Sequence, residues 1–415
     1  MRKKKVLRIV WEMHILPAAC FAQLRELVWV GSLSMKKPAS YTMRDVARLA
    51  RVSVTTVSTI VNGRGGVSPE LTRRVEDAMA TLDYHPNEVA RSLKVNRTFT
   101  IGMVVPDVSN LFFNDIFGGV ESKARRHGFS VVVCDSHEDP IQERELLAML
   151  VRRRVDGILL ASTQASLAES RLVGRRPPTV CFDREPEGFK GGVVVVDNVL
   201  ASYQAARHLI ELGHERIAII AGPQTTLTGS GRLEGFRKAL QEAHLPLPEE
   251  YIRPGAFFME PGYRAALEIL ELPNPPTAVF ACNNRMTLGL MRALKDLGLE
   301  CPQDVSVVGF DDFDWSELFS PRLTTVVQPS YEMGELAVEM LQQVIEAPDQ
   351  YLKSREGNRV VLKAELRVRE STAPPARCSD RRQQSSTLPI PKSSEATKPS
   401  ALEPPEQSSV KESQI

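Results

Sequence analysis

The sequence predicts an α/β protein built from a small helical head and a two-lobed body of doubly wound parallel sheets. Two observations carry this. Residues 42–62 hold two short helical patterns separated by a break too tight for a hairpin. From Thr100 to about Ser371, continuous β-branched runs alternate with amphipathic stretches, the pattern of a parallel sheet buried on both faces. Residues 1–40 and 372–415 share neither pattern.

The head is read as a helix-turn-helix over 41–84. Val46, Leu49 and Ala50 fall at i, i+3, i+4 and predict one apolar face. Thr42, with Asp45 three residues on, reads as a carboxylate capping box. Ser53 is placed to cap the second helix, where Val57, Ile60 and Val61 share a face. Val54, Thr55, Thr56 and Thr59 are then left pointing outward, a short polar face suited to a major groove. On spacing alone, an ordinary corner between two helices is the alternative. Gly63, Gly65 and Gly66 make a flexible wing, and Ser68-Pro69-Glu70 opens a third helix with Val75, Ala78, Met79 and Leu82 on its core face.

Composition is that of an ordinary soluble globular chain, 42% hydrophobic and 25% charged over 415 residues, a length for two or three domains. The charge is unevenly placed. Residues 36–98 hold 11 basic against 6 acidic side chains, a balance of +5, so a chain total of +1 leaves −4 elsewhere. A basic head on a mildly acidic body suits a nucleic-acid anchor joined to a separate sensor. The six cysteines form no CxxC and no zinc spacing; Cys134, Cys181 and Cys282 lie in apolar runs and read as buried reduced thiols, with no metal or cofactor implied.

Residues 1–34 fit nothing that follows. Arg2-Lys3-Lys4-Lys5 and a partly apolar run imitate a signal peptide, but Arg8, Glu12 and His14 interrupt the apolar core. Met35 is read as the natural start, with a short regulatory helix as the alternative, and the chain is expected in the cytoplasm with no membrane partner. Residues 372–415 carry seven prolines with much Ser, Lys and Glu, the composition of a disordered tail. Between the head and the body, residues 85–98 read blandly as a linker, because Pro86 to Lys94 is too short for a stable isolated helix.

Thr42, Asp45-Val46-Ala47, Ala50, Val52-Ser53 and Thr56-Val57-Ser58, ending at Asn62, resemble the lambda-repressor-like DNA-binding domain of the lactose-repressor and galactose-repressor family, to which the purine repressor also belongs. One departure is Arg51 at a turn where the family usually has Gly or Asn; a left-handed arginine there costs roughly 1 kcal/mol. The resemblance implies that Pro86-Asn87-Glu88-Val89-Ala90-Arg91-Ser92-Leu93-Lys94 is a hinge helix that folds on operator DNA. Leu93 matches the leucine that wedges into the minor groove. It further implies that Val54, Thr55 and Thr59 read base edges, and that Arg44, Arg64, Arg91 and Lys94 hold phosphates. Thr42, Ser53, Thr56, Asn62, Asn87 and Ala90 complete the expected DNA surface.

The same resemblance covers 99–371 and implies a periplasmic-binding-protein-like core. Lobe 1 is expected at about 99–197 plus 327–352, and lobe 2 at about 198–326 plus 353–371, with a ligand cleft at the carboxyl ends of the strands. Phe112 and Phe113 match aromatic pocket residues, Arg232 matches an arginine that bonds the effector, and Phe257 matches a stacking aromatic. Asp183, Arg184, Asp311 and Trp315 are further candidates, although Phe112, Phe113 and Trp315 also read as core or dimer surface, and Asp311 as a cap. Asn284 stands where relatives usually have Asp, which puts a plain hexose in doubt; Thr226 replaces the arginine of purine-binding relatives. An aromatic platform with polar forks suits a sugar ring. The tail holds only Leu388 and Leu402, too few for a tetramerising heptad, so a homodimer is expected on double-stranded operator DNA.

Enzyme signatures are missing. Gly229, Gly231 and Gly235 have the wrong spacing for a dinucleotide loop; His137-Glu138-Asp139 reads as a solvated loop; no phosphate loop, HExxH or catalytic triad is present. The rivals are a solute-binding protein, which would need an export signal and no head, and a sugar-metabolising enzyme, which would need a phosphate loop and a base.

Overall fold

A computed structural model describes residues 41–61, 65–85, 97–163, 177–347 and 359–376. The chain divides into two compact units at Asn96 and Arg97. The N-terminal unit contains α1 (Met43–Ala50), α2 (Val54–Val61) and α3 (Pro69–Thr81). Asp45 reaches back to Thr42, accepting from its backbone N at 2.9 Å and its hydroxyl at 2.7 Å, as the capping pattern predicts. Ser53 Oγ accepts from Thr56 N at 3.0 Å and starts α2. The core is Val46, Ala47, Ala50, Val57, Val75 and Ala78, with Ile60, Val61, Met79 and Leu82 packed around it. Leu49 departs from the predicted face: it is 48% exposed, and Ala47 takes the buried position.

The second unit holds two six-stranded sheets. The first has the order β11-β5-β4-β3-β1-β2, with β1 (Thr100–Val105), β2 (Ser130–Asp135), β3 (Gly157–Leu160), β4 (Thr179–Phe182), β5 (Gly192–Val196) and β11 (Arg359–Leu362). Its helices are α4 (Leu111–Arg126), α5 (Pro140–Arg152) and α10 (Ser330–Glu346). The second has the order β12-β10-β9-β8-β6-β7, with β6 (Ile217–Ala221), β7 (Ile252–Pro254), β8 (Ala278–Ala281), β9 (Ser306–Phe310), β10 (Thr324–Val327) and β12 (Glu365–Arg367). Its helices are α6 (Asn198–Glu211), α7 (Leu227–Glu242), α8 (Met259–Leu270) and α9 (Asn284–Leu297). Every pairing is parallel except β12 on β10. Strands β3, β4, β5, β6, β8 and β9 are buried along their whole length, which is why they read as unbroken apolar runs.

The chain passes between lobes three times: after β5, after β10, and between β11 and β12. The third passage corrects the expected boundary. Residues 359–362 belong to the first lobe, paired with β5, and not to the second. The body also extends past Ser371. His214 Nε2 lies 2.9 Å from the Ala373 carbonyl and His208 Nε2 2.9 Å from Thr372 Oγ1, so 372–376 belong to lobe 2, not to the tail.

Of the glycines that imitate a dinucleotide loop, Gly235 serves helix packing. A Cβ on Gly235 would come within 2.0 Å of the Val199 carbonyl, so only glycine lets α6 and α7 approach. In both lobes a capping side chain sits where a parallel strand hands over to its helix. Asn110 accepts from Phe112 N, Thr226 from Gly229 N and Asn283 from Met286 N. That handover edge is where open α/β sheets bind ligands.

Candidate DNA-reading and effector sites

On the head, Val54 and Thr55 are exposed on α2 and carry no side-chain hydrogen bond or ion pair among the described residues. Arg44 is exposed and equally unpaired there. The remaining polar positions are committed within the fold. Thr59 Oγ1 donates to Thr55 O at 3.0 Å, Thr56 Oγ1 lies 2.8 Å from Ser53 Oγ, and Thr42 is held by Asp45. The readable face is therefore narrower than the sequence suggests: Val54 and Thr55, flanked by Arg44. Asn62, Arg64, Asn87, Ala90, Arg91, Leu93 and Lys94 lie outside the described residues. Arg51 takes the left-handed conformation (φ 52°, ψ 50°) that its turn demands. The Arg74 guanidinium donates to Ala50 O at 2.6 Å and neutralises the end of α1.

In the second unit, a nearly filled cavity of about 20 Å³ is lined by Asn110, Phe112, Phe113, Asp183, Arg184, Thr228, Arg232, Phe257, Asn283, Asp311 and Gln328. Both lobes contribute. Seven of the nine sequence candidates line it; Asn284 and Trp315 do not. Phe112 and Phe113 meet edge to face at 5.1 Å and belong to the lobe 1 core as well as the cavity wall. Trp315 is instead stacked on Phe313 at 5.6 Å and touches Phe319 edge-on at 5.7 Å. Asn284 is buried and donates to Asn110 at 2.8 Å.

The charged groups form a closed circuit. Arg232 donates to Asn198 Oδ1 at 2.8 Å and to Cys282 O at 2.6 Å, and lies 3.6 Å over the Phe310 ring. Burial pulls its guanidinium down from the usual value. Arg184 makes a fork with both carboxylate oxygens of Glu138 at 2.8 and 2.9 Å and lies 4.9 Å over Phe257. Burial opposes its charge, but Glu138 and Asp183 together more than offset this and hold its pKa high. Glu138 is thus no solvated loop residue: left-handed backbone at His137 and Glu138 turns it inward. Burial pushes Asp183 up to about 6, against the pull of Arg184 and Arg232. It raises Asp311 too, although Arg232 and a 2.6 Å bond from Gln328 oppose the shift.

Three lining atoms are buried without a hydrogen-bond partner: Asp183 Oδ1, Arg184 Nε and Gln328 Oε1. Arg184 Nε lies 3.3 Å from Asp183 Oδ2, so the two acceptors are the groups left most clearly without a partner. Sequence reasoning does not find Asn110, Gln328, Asn283 or Glu138. The first and third are helix caps, a signal that is legible but not specific to a site.

Comparison with known proteins places both units in known domain families. Residues 42–87 match the model for bacterial regulatory proteins of the lacI family, and 206–372 match a periplasmic binding protein-like domain. The ribose operon repressor of Escherichia coli strain K12 is 39% identical over 302 residues, covering 72% of this chain and 92% of the relative. The chain belongs to the lacI family of bacterial regulatory proteins. It is a sequence-specific DNA-binding regulator with an effector cavity in its body. The transcriptional repressor PurR of Vibrio atlanticus is 38% identical, over 74% of this chain and 93% of that one. Among solved structures, the lac repressor dimer bound to operator and an anti-inducer superposes with a TM-score of 0.71 at 28% identity. It covers 80% of this chain and 99% of that one. A lacI-family regulator from Enterococcus faecium with bound ribose gives 0.60 at 31% identity, over 67% and 100% of the two chains. These relatives are repressors and not enzymes. Among the described residues, no helix is long and apolar enough to cross a membrane.

Proposed function

We propose that this chain is a cytoplasmic, homodimeric operator-binding repressor whose affinity for DNA is set by a pentose, ribose first among them. The observation that carries the ligand reading is the cavity itself. It is walled by three aromatic rings and carries orphaned acceptors at Asp183 Oδ1 and Gln328 Oε1, and at about 20 Å³ it admits a pentose only when the lobes part. A furanose or pyranose ring supplies apolar faces for Phe112, Phe113 and Phe257 and hydroxyl donors for those acceptors. The resemblance to ribose-related repressors supports the same choice, and Thr226, committed as the cap of α7, offers no cation to a purine.

Val54 and Thr55 read base edges, Arg44 with Arg64, Arg91 and Lys94 hold phosphates, and Leu93 wedges the minor groove. Thr42, Ser53, Thr56 and Thr59 support the reading helix more than they contact DNA. The dimer is supported by a mixed surface on lobe 2, where Leu318 is 83% exposed and a groove combines Met259, Leu288, Met291 and Phe319 with Arg292, Lys295 and Glu300. Ligand closure of the lobes changes the spacing of the two hinges, a coupling of about 1–3 kcal/mol. Duplexes selected by the purified chain from a random pool, then titrated with and without ribose, test the whole reading. A change in operator affinity of about 5–150-fold is expected. No preferred duplex, or a preferred duplex indifferent to every pentose, would overturn it.

A further inference from the structure

The chain enters lobe 1 at a fixed point. Asp156, just ahead of β3, has a side chain only 7% exposed, and it accepts from Thr98 N at 2.9 Å and Phe99 N at 2.8 Å. Thr98 Oγ1 donates to the carbonyl of Arg154 at 2.9 Å. The Arg97 guanidinium lies 5.3 Å over Phe99 and 5.5 Å over Phe129, with its Nε 3.6 Å from Asp156. The root of the segment leading to the head is therefore stapled to the turn that ends α5.

That turn carries Arg152, Arg153 and Arg154. All three are exposed, and none makes an ion pair or side-chain hydrogen bond among the described residues. On the neighbouring α4 both arginines are paired, Arg125 with Glu121 and Arg126 with Glu335, each at 3.4 Å. Because α5 leads into β3, the triplet lies at the amino edge of the lobe 1 sheet, the edge where β1 also begins. Residues 86–96 tether the head to this root, and eleven residues extend no further than about 40 Å.

Three adjacent cations without counter-charges, on a turn fixed to the root of the DNA-binding arm, are placed to meet phosphates. We infer that Arg152, Arg153 and Arg154 form a second DNA contact, with the backbone flanking the operator core. Such contacts release counterions and carry no base preference. They add affinity on long DNA and steepen its salt dependence, while the head supplies the sequence reading. The inference rests on operator binding, which the duplex selection tests separately.

The experiment uses the full chain and its selected operator at two lengths. One duplex holds only the two half-sites, about 20 bp, and the other adds about 15 bp on each side. The chain should bind the long duplex about ten-fold more tightly at low salt. The combined change Arg152→Gln, Arg153→Gln, Arg154→Gln removes six cations from the dimer, and should remove that advantage and flatten the long-duplex salt slope by up to about five. Binding to the short duplex and to ribose should stay unchanged, and the corresponding Lys replacements should keep the long-duplex affinity. Equal binding of the unaltered chain to both lengths overturns the inference, and this arm needs no variant to fold. Equal loss on both lengths in the Gln variant overturns it too, because that pattern belongs to a disturbed hinge root.

Discussion

Asn284 Nδ2 donates to Asn110 Oδ1 at 2.8 Å, and this bond joins the start of α9 in lobe 2 to the cap of α4 in lobe 1. The same Oδ1 accepts from Phe112 N at 3.0 Å, so its orientation is fixed and Asn284 must present its amide. Asn284→Asp sets two acceptors against each other in a buried site. Lost and unsatisfied hydrogen bonds of this kind cost about 1–3 kcal/mol. Ribose affinity measured by calorimetry should fall about ten-fold or more, with the head's melting untouched. An unaltered Kd would show that this bond does not hold the lobes together.

Asp183 gives the effector site a pH dependence whose sign follows from its environment. Burial raises its pKa from 3.8 to about 6, so between those values the folded protein holds a proton that the unfolded chain has released. This group's contribution to stability therefore declines as pH rises from about 4 to 6 and is constant above. A ligand hydroxyl donating to the orphaned Oδ1 prefers the ionised carboxylate, so ligand binding should weaken as pH falls below 6. The limiting slope for one proton is tenfold per pH unit. Titrations between pH 5 and 8 should show this bend in the unaltered chain, and Asp183→Asn should flatten it. A bend that survives the substitution assigns the proton elsewhere.

Glu138 is the partner that makes a buried cation tolerable at Arg184. Removing one member of a buried pair costs up to about 3–5 kcal/mol, and less here because Asp183 Oδ2 stays 3.3 Å from Arg184 Nε. Glu138→Ala should therefore lower the Tm by several degrees and weaken ribose by at least ten-fold, since Arg184 loses the fork that aims it over Phe257. Glu138→Gln keeps one acceptor and should fall between. Melting and calorimetry on the same preparations separate the two effects.

What is legible in the sequence follows from how local its causes are. Strands such as β5 and β6 are buried on both faces, and their apolar runs announce them. The cap at Thr42 needs only residues three apart. By contrast β7, β12 and β11 are short edge strands with partly exposed patterns, and nothing in the sequence marks them. Asn110 reads as a cap, but its tie to Asn284 spans 174 residues and exists only once the lobes meet. Glu138 reads as solvated because three consecutive polar residues resemble a loop, whereas left-handed backbone at His137 and Glu138 aims its carboxylate at Arg184 and leaves it partly buried. Trp315 misleads for the opposite reason: an aromatic near a cleft also finds partners in Phe313 and Phe319.

Thr55 is exposed on α2 with its hydroxyl uncommitted, whereas the Thr59 hydroxyl is spent on the Thr55 carbonyl. Thr55→Ala should alter which bases are selected at one position of each half-site, at about 1–3 kcal/mol of lost discrimination. Thr59→Ala should leave the preference unchanged. Selection from the same random pool with each variant reads both outcomes, and an altered preference with Thr59→Ala alone would shift base reading further along the helix.

Arg51 holds left-handed backbone between α1 and α2 with an exposed side chain, a geometry that glycine adopts without strain. Its backbone N still donates to Arg48 O at 3.3 Å, so the turn's bonding does not depend on the side chain. Arg51→Gly should therefore stabilise the head by about 0.5–1 kcal/mol. Retaining an arginine at such a cost makes sense where its charge meets a phosphate. The glycine variant should then bind operator more weakly across all sequences, with a salt slope flatter by about one for each phosphate no longer neutralised. Thermal melting of the head and operator titrations at several salt concentrations measure the two effects together. A variant that melts higher and binds as well as the unaltered chain would leave the strain at Arg51 without a purpose.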